Sequence, residues 1–487
     1  MGGEREAKTI IPKENFSEWY NEILRRAEIM DVRYPVKGLY VWFPFGFKLR
    51  NLIYSILKSL LDVEHDEVLF PTLIPKTEFI KEEKHIKGFE DEVFWVTRGG
   101  VDELDVPLAL RPTSETAIYP MFKVWIRSHA DLPLRIYQIA NVFRYETKHT
   151  RPLVRLREVT SFKEAHTAHR NWAEAEAQVK RAVSIYRRFY DRLAVPYIIT
   201  RRPDWDKFPG AAYTIAFDTI MPDGRTLQIA TIHHLGTNFA RTFDIKYEDV
   251  GGEQKYVHQT CYGISERCVA AVIATHGDSH GLVLPPEVAP MQIVIVPIIF
   301  AKEKRSRAVL EVCRSVRAAL KSSFRVILDE SEERPGAKFY KWEMRGVPLR
   351  IEIGPRDVSR DECTFVRRDT FERFTVPLSN VVGEAEKALR DLHESIWRRS
   401  KEHFSSKIFD LCGDEQEDRI KECVKKGVVV VFMCRSEECG AEVKERFDAD
   451  VLGEEVGTCL LDDVEEQTGR CIICGAEGRR TYIARTY

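Results

Sequence analysis

The fold of this 487-residue chain is indicated most clearly by residues 259–267, QTCYGISER. The first half reads as a strand, Gly263 allows a tight turn, and the apolar run from Cys268 to Ala274 reads as a helix. A helix that begins just after a strand presents free backbone N–H groups, and Arg267 adds a full positive charge there. The segment therefore predicts a polyphosphate site. The alternative is an ordinary helix with Ser265 as its cap.

A second segment, ALRPTSE at residues 109–115, places polar side chains beside apolar ones. Thr113 and Glu115 fall at a predicted helix start, where together they can hold a substrate ammonium group. The alternative is a capping box, in which the same residue types only satisfy the helix terminus.

A third segment, NVFRYE at residues 141–146, reads as a strand in which Arg144 and Glu146 point to one face. Arg144 can clamp a phosphate or a carboxylate, and Glu146 can accept a hydrogen bond from an adenine amine. The alternative is a salt bridge between strands. The arginine-rich loop that follows, residues 150–158, suits phosphate groups.

The composition is that of a globular chain with two to four domains. The net charge of −2 excludes a uniformly basic nucleic-acid coat. The charge is uneven, since residues 291–400 carry 22 basic and 17 acidic residues, whereas residues 401–487 carry 13 and 20. We therefore expect a polyanion partner to bind within residues 291–400.

The sequence also predicts where the protein works. No apolar run approaches the ~18 residues that span a bilayer, and the amino terminus is too charged for a signal peptide. The odd number of cysteines, 11, is typical of cytosolic thiols rather than of a disulfide framework. We expect a cytoplasmic protein that does not associate with membranes.

Hydrophobic periodicity divides the chain into three parts. Mixed helices and strands predict an α+β domain on an antiparallel sheet over residues 1–284, with Asn171 capping a long helix. After a proline-rich linker, alternating strands and helices predict an α/β domain over residues 285–402. Residues 403–487 form a small α+β domain that holds 7 of the 11 cysteines.

Two short-spaced cysteine pairs mark this third part: Cys434 with Cys439, and Cys471 with Cys474. Zinc takes four soft ligands at tetrahedral corners, and two such loops supply them. A glycine follows the second cysteine of each pair, which would let the chain turn tightly and bring backbone N–H groups to the sulfurs. No water-activating residue accompanies the set, so we predict a structural Zn²⁺ site. The alternative is unrelated buried thiols.

Together these segments resemble the class II aminoacyl-tRNA synthetases. FRYE at 143–146 resembles motif 2 of that class, GISER at 263–267 motif 3, and VLFPTL at 68–73 motif 1, whose proline lies at the dimer interface. The resemblance narrows to the archaeal/eukaryotic-like prolyl-tRNA synthetases at RPTSE (111–115), HTAH (166–169), HHLG (233–236) and THGD (275–278). It covers essentially the whole chain.

The resemblance implies ATP-dependent attachment of L-proline to tRNA(Pro) through a prolyl-adenylate, with Mg²⁺ accompanying the ATP. Arg144 and Arg267 would be the catalytic residues. The implied amino-acid contacts are Thr113, Glu115, Arg144, His166, His233 and Ser265. The implied ATP contacts are Arg144, Glu146, Arg155, Gln228, Thr231 and Arg267.

The resemblance also implies a homodimer, an anticodon-binding second domain and a zinc-binding C-terminal domain. The last residue, Tyr487, would reach back toward the catalytic site. The editing domain that the bacterial form inserts between motifs 2 and 3 has no room here. Because a pocket sized for proline cannot strongly reject smaller amino acids, we expect alanine or cysteine to be activated as well.

Two other interpretations stay open. Cys261, with His233 and His234, could serve the active-site zinc of a threonyl-type class II synthetase. A non-catalytic paralogue that only binds tRNA is the second. Such paralogues usually lose the motif arginines or the adenine-side carboxylate. This chain keeps both arginines, Arg144 and Arg267, and the carboxylate, Glu146.

Overall fold

The computed structural model describes residues 12–82, 92–147, 149–299, 304–413, 416–456 and 467–487. The first part of the chain forms α1 (Phe16–Arg26), β1 (Met30–Asp31), β2 (Val41–Trp42), α2 (Pro44–Leu61), β3 (Asp66–Glu67), β4 (Leu73–Pro75), α3 (Lys76–Phe79), β5 (Phe94–Gly99), β6 (Asp102–Leu110), α4 (Glu115–Trp125), β7 (Leu134–Phe143), β8 (Glu158–His169), α5 (Trp172–Arg192), β9 (Ile198–Arg201), β10 (Tyr213–Ile220), β11 (Thr226–Gly236), α6 (Asn238–Thr242), β12 (Lys246–Glu248), β13 (Gln254–Tyr256), β14 (His258–Ile264) and α7 (Arg267–His276).

The second part forms β15 (Ile293–Pro297), α8 (Lys304–Leu320), β16 (Val326–Leu328), α9 (Pro335–Met344), β17 (Leu349–Ile353), α10 (Pro355–Ser359), β18 (Glu362–Arg367), β19 (Arg373–Pro377) and α11 (Val381–Ser405). The third part forms β20 (Ile408–Asp410), α12 (Glu417–Lys426), β21 (Val428–Met433), α13 (Glu437–Phe447), β22 (Asp450–Glu455), β23 (Thr468–Arg470) and β24 (Glu477–Ala484). Single turns of 3-10 helix lie at Ile80–Glu82, His129–Asp131 and Leu378–Asn380.

One large sheet organises the molecule, with the strand order β20-β21-β24-β22-β9-β10-β11-β14-β8-β7-β3. Neighbouring strands run antiparallel, apart from the parallel pairs β20–β21 and β3–β7. Residues of α1, α2, α5 and α7 share one apolar core with strands of this sheet. The predicted α+β architecture on an antiparallel sheet is confirmed.

Helix α5 forms where the sequence predicts it. The Asn171 side chain accepts a hydrogen bond from the backbone nitrogen of Glu174 (2.9 Å) and so caps the helix. The buried stripe of α5 includes Val179, Tyr186 and Tyr190, which recur at helical spacing and face the sheet.

The second part forms a five-stranded sheet in the order β16-β15-β17-β18-β19. The predicted alternation of strands and helices is found here, with β19 and the short α10 in addition. The expected linker is not exposed, because Leu284, Val288 and Ala289 belong to the main apolar core. The Arg325 guanidinium also donates to the backbone oxygens of Pro286 and Ala289 (both 2.9 Å). The linker therefore joins the first two parts by packing between them.

The C-terminal module, which we define as β20 to β24 with α12 and α13, continues the large sheet. Its strand β22 pairs antiparallel with β9, with Glu454 opposite Arg201 and Glu455 opposite Thr200. The module is thereby fixed beside the first part through backbone hydrogen bonds. Among the described helices, none combines the length and the apolar character that a membrane span requires.

Candidate active site

A cavity of about 500 Å³ opens on the sheet face opposite α5. Along β8, Phe162 and Glu164 line the cavity, whereas Lys163 between them reaches Tyr186 of α5. Of the predicted amino-acid and ATP contacts, the cavity is lined by Thr113, Glu115, Arg144, Glu146, Arg155, Gln228, Thr231, His233, Ser265 and Arg267. His166 is the exception: it is buried beside Glu164 and Cys261, behind the cavity wall.

The end of the cavity that carries the predicted amino-acid contacts is built around Glu115. Helix α4 begins at this residue, and the Thr113 hydroxyl donates a hydrogen bond to its carboxylate. Ser114 precedes the helix without capping it through its side chain, so the capping-box alternative is wrong. The Cys261 thiol donates to Glu115 Oε1 (3.6 Å). Burial, together with the charge of Glu115, raises the pKa of Cys261 well above its usual value, so the group stays a neutral thiol.

Glu164 is a second buried carboxylate at this end of the cavity, and it was not among the predicted site residues. It accepts hydrogen bonds from the Ser114 hydroxyl, from Gln138 Nε2 (2.9 Å) and from His166 Nε2 (3.4 Å). Burial opposes its ionisation, but these bonds more than offset burial and hold the pKa of Glu164 below its usual value. The signal that could have revealed it is the charged pair Lys163-Glu164 between the apolar residues Phe162 and Ala165.

Arginines form the other side of the cavity. Arg144 Nε donates to the backbone oxygen of Pro112 (3.2 Å). Arg267 Nε and Nη1 donate to the backbone oxygens of Val154 (2.9 Å) and Gln228 (3.2 Å). Burial and the nearby charges of Arg144 and Arg155 lower the pKa of Arg267 to about 10, so it remains a cation at neutral pH. Clustered guanidinium groups of this kind are suited to an anionic ligand.

Arg144 and Glu146 reach the cavity in a different way from the one predicted. Strand β7 ends at Phe143, so both residues lie in the following loop and the strand assignment for them was wrong. Arg157 fixes this loop by donating to the backbone oxygen of Glu146 (3.1 and 3.2 Å) and by covering the ring of Tyr145 (4.3 Å). The loop still places both side chains on the cavity wall.

His233 closes the same end of the cavity as Glu115, from strand β11. Its Nδ1 lies 2.9 Å from the Thr214 hydroxyl, and its ring lies 4.7 Å from the ring of Phe208. Burial lowers the pKa of His233 to about 3, so the ring is neutral. Phe208 and Trp205, both of which line the cavity, were not predicted, because they belong to a loop whose position depends on distant contacts.

The four predicted zinc ligands come together. The sulfur atoms of Cys434, Cys439, Cys471 and Cys474 all lie within 4.8 Å of one another. The Cys434 and Cys474 sulfurs are 3.7 Å apart, which matches the edge of about 3.8 Å expected for a tetrahedron with Zn–S bonds of about 2.3 Å. Gly475 has a positive φ of 73° and turns as predicted. Gly440 instead lies inside α13, so the predicted turn there is wrong.

Comparison with known proteins identifies the family. The family models that match are the tRNA synthetase class II core domain (G, H, P, S and T) over residues 94–276, an anticodon binding domain over 292–388, and the prolyl-tRNA synthetase C-terminal domain over 412–487. Proline--tRNA ligase of Archaeoglobus fulgidus is 59% identical over 482 residues, covering 98% of this chain and 100% of the relative. The Methanococcoides burtonii enzyme is 57% identical over 489 residues, covering 100% of both.

The chain belongs to the prolyl-tRNA synthetase family. It is also similar in structure to Giardia lamblia prolyl-tRNA synthetase in complex with prolyl-adenylate, with a TM-score of 0.91, 35% identity, and coverage of 98% of this chain and 99% of the other. The class II assignment, the three-domain composition and the family resemblance drawn from the sequence are confirmed.

Membership of this family disfavours the threonyl-type alternative, and the geometry differs from it as well. Cys261 groups with Glu115 and His166, whose ligand atoms lie within 4.8 Å of one another. His234 instead stacks on Trp172, with the ring centroids 3.8 Å apart. The proposed threonyl-type set of one cysteine with two adjacent histidines is therefore not assembled.

Tyr487, the last residue of the sequence, contacts the first part. The Tyr487 hydroxyl donates to Asp223 (2.6 Å), and its backbone nitrogen donates to the Thr226 oxygen (3.2 Å). Arg151 and Arg225 lie against its ring (5.1 and 5.7 Å). Arg151 begins the turn that carries Arg155 into the cavity, so Tyr487 buttresses one edge of the site.

Proposed function

We propose that this protein activates L-proline with ATP and transfers the prolyl group to tRNA(Pro). The observation that carries the proposal is the convergence of Arg144 and Arg267 with Glu115 in one cavity. The cations suit phosphates and a carboxylate, and the acidic group suits the proline amine. The names of the relatives and the prolyl-adenylate in the similar structure support the same reaction.

In the first step the proline carboxylate attacks the α-phosphorus of ATP. Both groups are anionic, so Arg144 draws them together and stabilises the negative charge that grows on the phosphoryl oxygens. Pyrophosphate leaves toward Arg267 and Arg155 with the Mg²⁺ that enters with ATP. We assign no general base, because positioning supplies much of the acceleration.

We assign the nucleoside to Glu146, Gln228 and Thr231, and the amino acid to Thr113, Glu115, His233 and Ser265, all of which line the cavity. His166 supports this end from behind through its contact with Glu164. A neutral His233 suits the positively charged pyrrolidinium ring of proline better than a cation would, because it does not repel the protonated amine.

In the second step the 3′-terminal hydroxyl of tRNA(Pro) attacks the carbonyl carbon of prolyl-adenylate, and AMP leaves. The second part of the chain would bind the anticodon, in line with its excess of basic residues (22 against 17 over residues 291–400). We propose the domain boundaries given by the sequence, namely 1–284 for catalysis, 285–402 for the anticodon and 403–487 for zinc.

We further propose that Cys434, Cys439, Cys471 and Cys474 hold a structural Zn²⁺. The compact sulfur cluster supports this assignment. The ion would fasten the loop before α13 to the loop before β24, two segments distant in sequence. It would therefore stabilise a small module whose own apolar core is limited.

We propose that the protein works as a cytoplasmic homodimer. The segment that resembles motif 1 exposes apolar side chains, with Leu69 78% and Leu73 41% exposed. Such side chains are expected at an interface. Sedimentation analysis of the protein and of Leu69→Glu tests this: we expect a dimer that the substitution dissociates, and a monomeric wild type would contradict the proposal.

Alanine and cysteine are also proposed substrates of the first step, since a cavity that admits proline can exclude them only weakly. Pyrophosphate exchange measured with each amino acid tests this. Undetectable exchange with both alanine and cysteine would contradict this proposal, but it would not bear on the proposed activation of proline.

The decisive experiment for the main proposal is proline-dependent ATP–pyrophosphate exchange, followed by aminoacylation of a tRNA with a proline anticodon. Arg144→Ala should lower kcat by about 10²- to 10³-fold, as expected when a donor to the transition state is removed. Arg25→Ala, on the exposed face of α1, is the matched control and should behave as wild type. A wild type with no proline-dependent exchange would overturn the proposal.

A further inference from the structure

One loop connects the cavity to the C-terminal module. The pocket loop, residues 203–210, follows β9 directly, and its Trp205 and Phe208 line the cavity. Phe208 stacks near His233, and its backbone nitrogen donates to the Thr214 hydroxyl (3.0 Å), which also contacts His233. The loop therefore shapes the wall beside the proposed amino-acid contacts.

The start of the pocket loop is held by the C-terminal module. The Arg202 guanidinium is buried, donates to the backbone oxygen of Leu452 in β22 (2.6 Å) and pairs with both oxygens of Asp218 (2.9 Å each). The Thr200 hydroxyl donates to the same Leu452 oxygen (2.9 Å). This end of the loop thus depends on strands from both parts of the chain.

Helix α13 of the module also meets the loop directly. A Cβ atom placed on Gly440 would lie 2.6 Å from Cζ2 and 2.9 Å from Cε2 of Trp205. Gly440 is the fourth residue of α13, and glycine is unfavourable inside a helix, so its presence there is explained by the close approach of the indole ring. The Trp205 ring therefore rests on the backbone of α13 on one side and forms part of the cavity wall on the other.

We propose that Trp205 is a positioning residue through which α13 sets the shape of the amino-acid end of the cavity. This inference rests on the proposed function. A displacement of α13 toward the cavity would push Trp205 and the rest of the pocket loop, including Phe208, toward His233. The affinity for proline would change, whereas the proposed ATP contacts Arg144 and Arg155 lie on other loops and Arg267 begins α7, so all three would keep their positions.

Gly440→Ala tests the proposal, because the added methyl group cannot coexist with the present position of the Trp205 ring. We expect the KM for proline in pyrophosphate exchange to rise by about fivefold or more, in the range of coupling between residues in contact. The KM for ATP and the kcat at saturating proline should stay within about twofold of wild type. Gly336→Ala is the matched control, since its Cβ would meet nothing within 4 Å.

Adding Gly440→Ala to a Trp205→Ala variant distinguishes an effect on the position of Trp205 from general damage to the protein. In Trp205→Ala the ring is gone, so adding Gly440→Ala should cause no further change in the KM for proline. The proposal is overturned if Gly440→Ala leaves that KM unchanged, if it raises both substrate KM values equally, or if its effect persists in the Trp205→Ala background. A wild type that lacks proline-dependent exchange would instead refute the proposed function itself, so the two failures are distinguishable.

Discussion

Lys163 allows a test of how burial shapes the protonation of the catalytic sheet. It lies in β8, and its side chain is fully buried on the α5 side. The ammonium group donates to the Tyr186 hydroxyl (3.0 Å) and to the Tyr262 backbone oxygen (3.2 Å). Burial lowers the pKa of Lys163 to about 7, despite the opposing charges nearby. In the unfolded chain a lysine has a pKa of about 10.4.

The sign of the linkage follows from these two values. Between pH 7 and 10 the unfolded chain binds more protons at Lys163 than the folded protein does, so stability should rise with pH. The slope contributed by one such group reaches about 1.4 kcal/mol per pH unit, and over about three units the gain sums to roughly 4 kcal/mol. The destabilisation of the folded protein that burial of the charged Lys163 causes is thus fully present below pH 7, and it fades as the pH approaches 10.

Lys163→Met removes this titration. The two groups that accept from the ammonium lose their partner, which costs about 1–3 kcal/mol for each but does not vary with pH. The measurement is therefore the difference in Tm between variant and wild type, recorded by differential scanning fluorimetry from pH 6.5 to 10. We expect the Tm of the wild type, relative to that of Lys163→Met, to rise by several degrees from pH 6.5 to pH 10.

Lys180→Met is the control for the loss of a lysine. Lys180 lies on the exposed face of α5, the helix whose buried face Lys163 contacts from β8. Its Tm profile should run parallel to that of the wild type. If the profile of Lys163→Met also runs parallel from pH 6.5 to 10, Lys163 does not titrate in this range and the argument from burial is refuted.

Three further outcomes are expected. Cys474→Ser should lower the zinc content measured by elemental analysis and lower the Tm, whereas Cys423→Ser, outside the cluster, should keep the metal; equal zinc in both variants would contradict the four-cysteine site. Arg202→Met leaves the buried Asp218 carboxylate without its main partner and should destabilise the protein by about 3–5 kcal/mol, with partial recovery in the double variant that adds Asp218→Asn; no recovery would show that the pair is not the cause. Deletion of Tyr487 should raise the KM for ATP several-fold more than the KM for proline, because it removes the ring that supports the Arg151 turn, and an unchanged KM for ATP would contradict this.

The local sequence was sufficient to predict those elements whose determining residues are close together in the chain. Asn171 caps α5 because its side chain and the Glu174 backbone are three residues apart, a distance that the pattern itself encodes. The same holds for the proposed site residues on motifs, all of which except His166 line the cavity, even where the element was misassigned. Arg144 lies beyond β7 rather than in it, yet the loop that Arg157 fixes still turns it inward.

Contacts between distant segments were beyond the local sequence. The role of Glu164 depends on Ser114, Gln138 and His166, which surround it from distant segments or from its own strand, since a glutamate in a strand is more often exposed. Gly440 was assigned to a turn because a cysteine precedes it. In the structure its missing side chain instead makes room for Trp205, a residue far away in the chain.

The join between the C-terminal module and the first part shows why such contacts matter for stability as well as for the site. Without β22, the strand β9 would be an edge of the catalytic sheet, with unpaired backbone groups exposed. The residues that follow β9 form the pocket loop, so a frayed edge would also loosen Trp205 and Phe208. By pairing with β9, the module satisfies that edge and holds the start of the loop at Arg202. Through this pairing and the contact of α13 with Trp205, the C-terminal module is part of the support for the cavity wall.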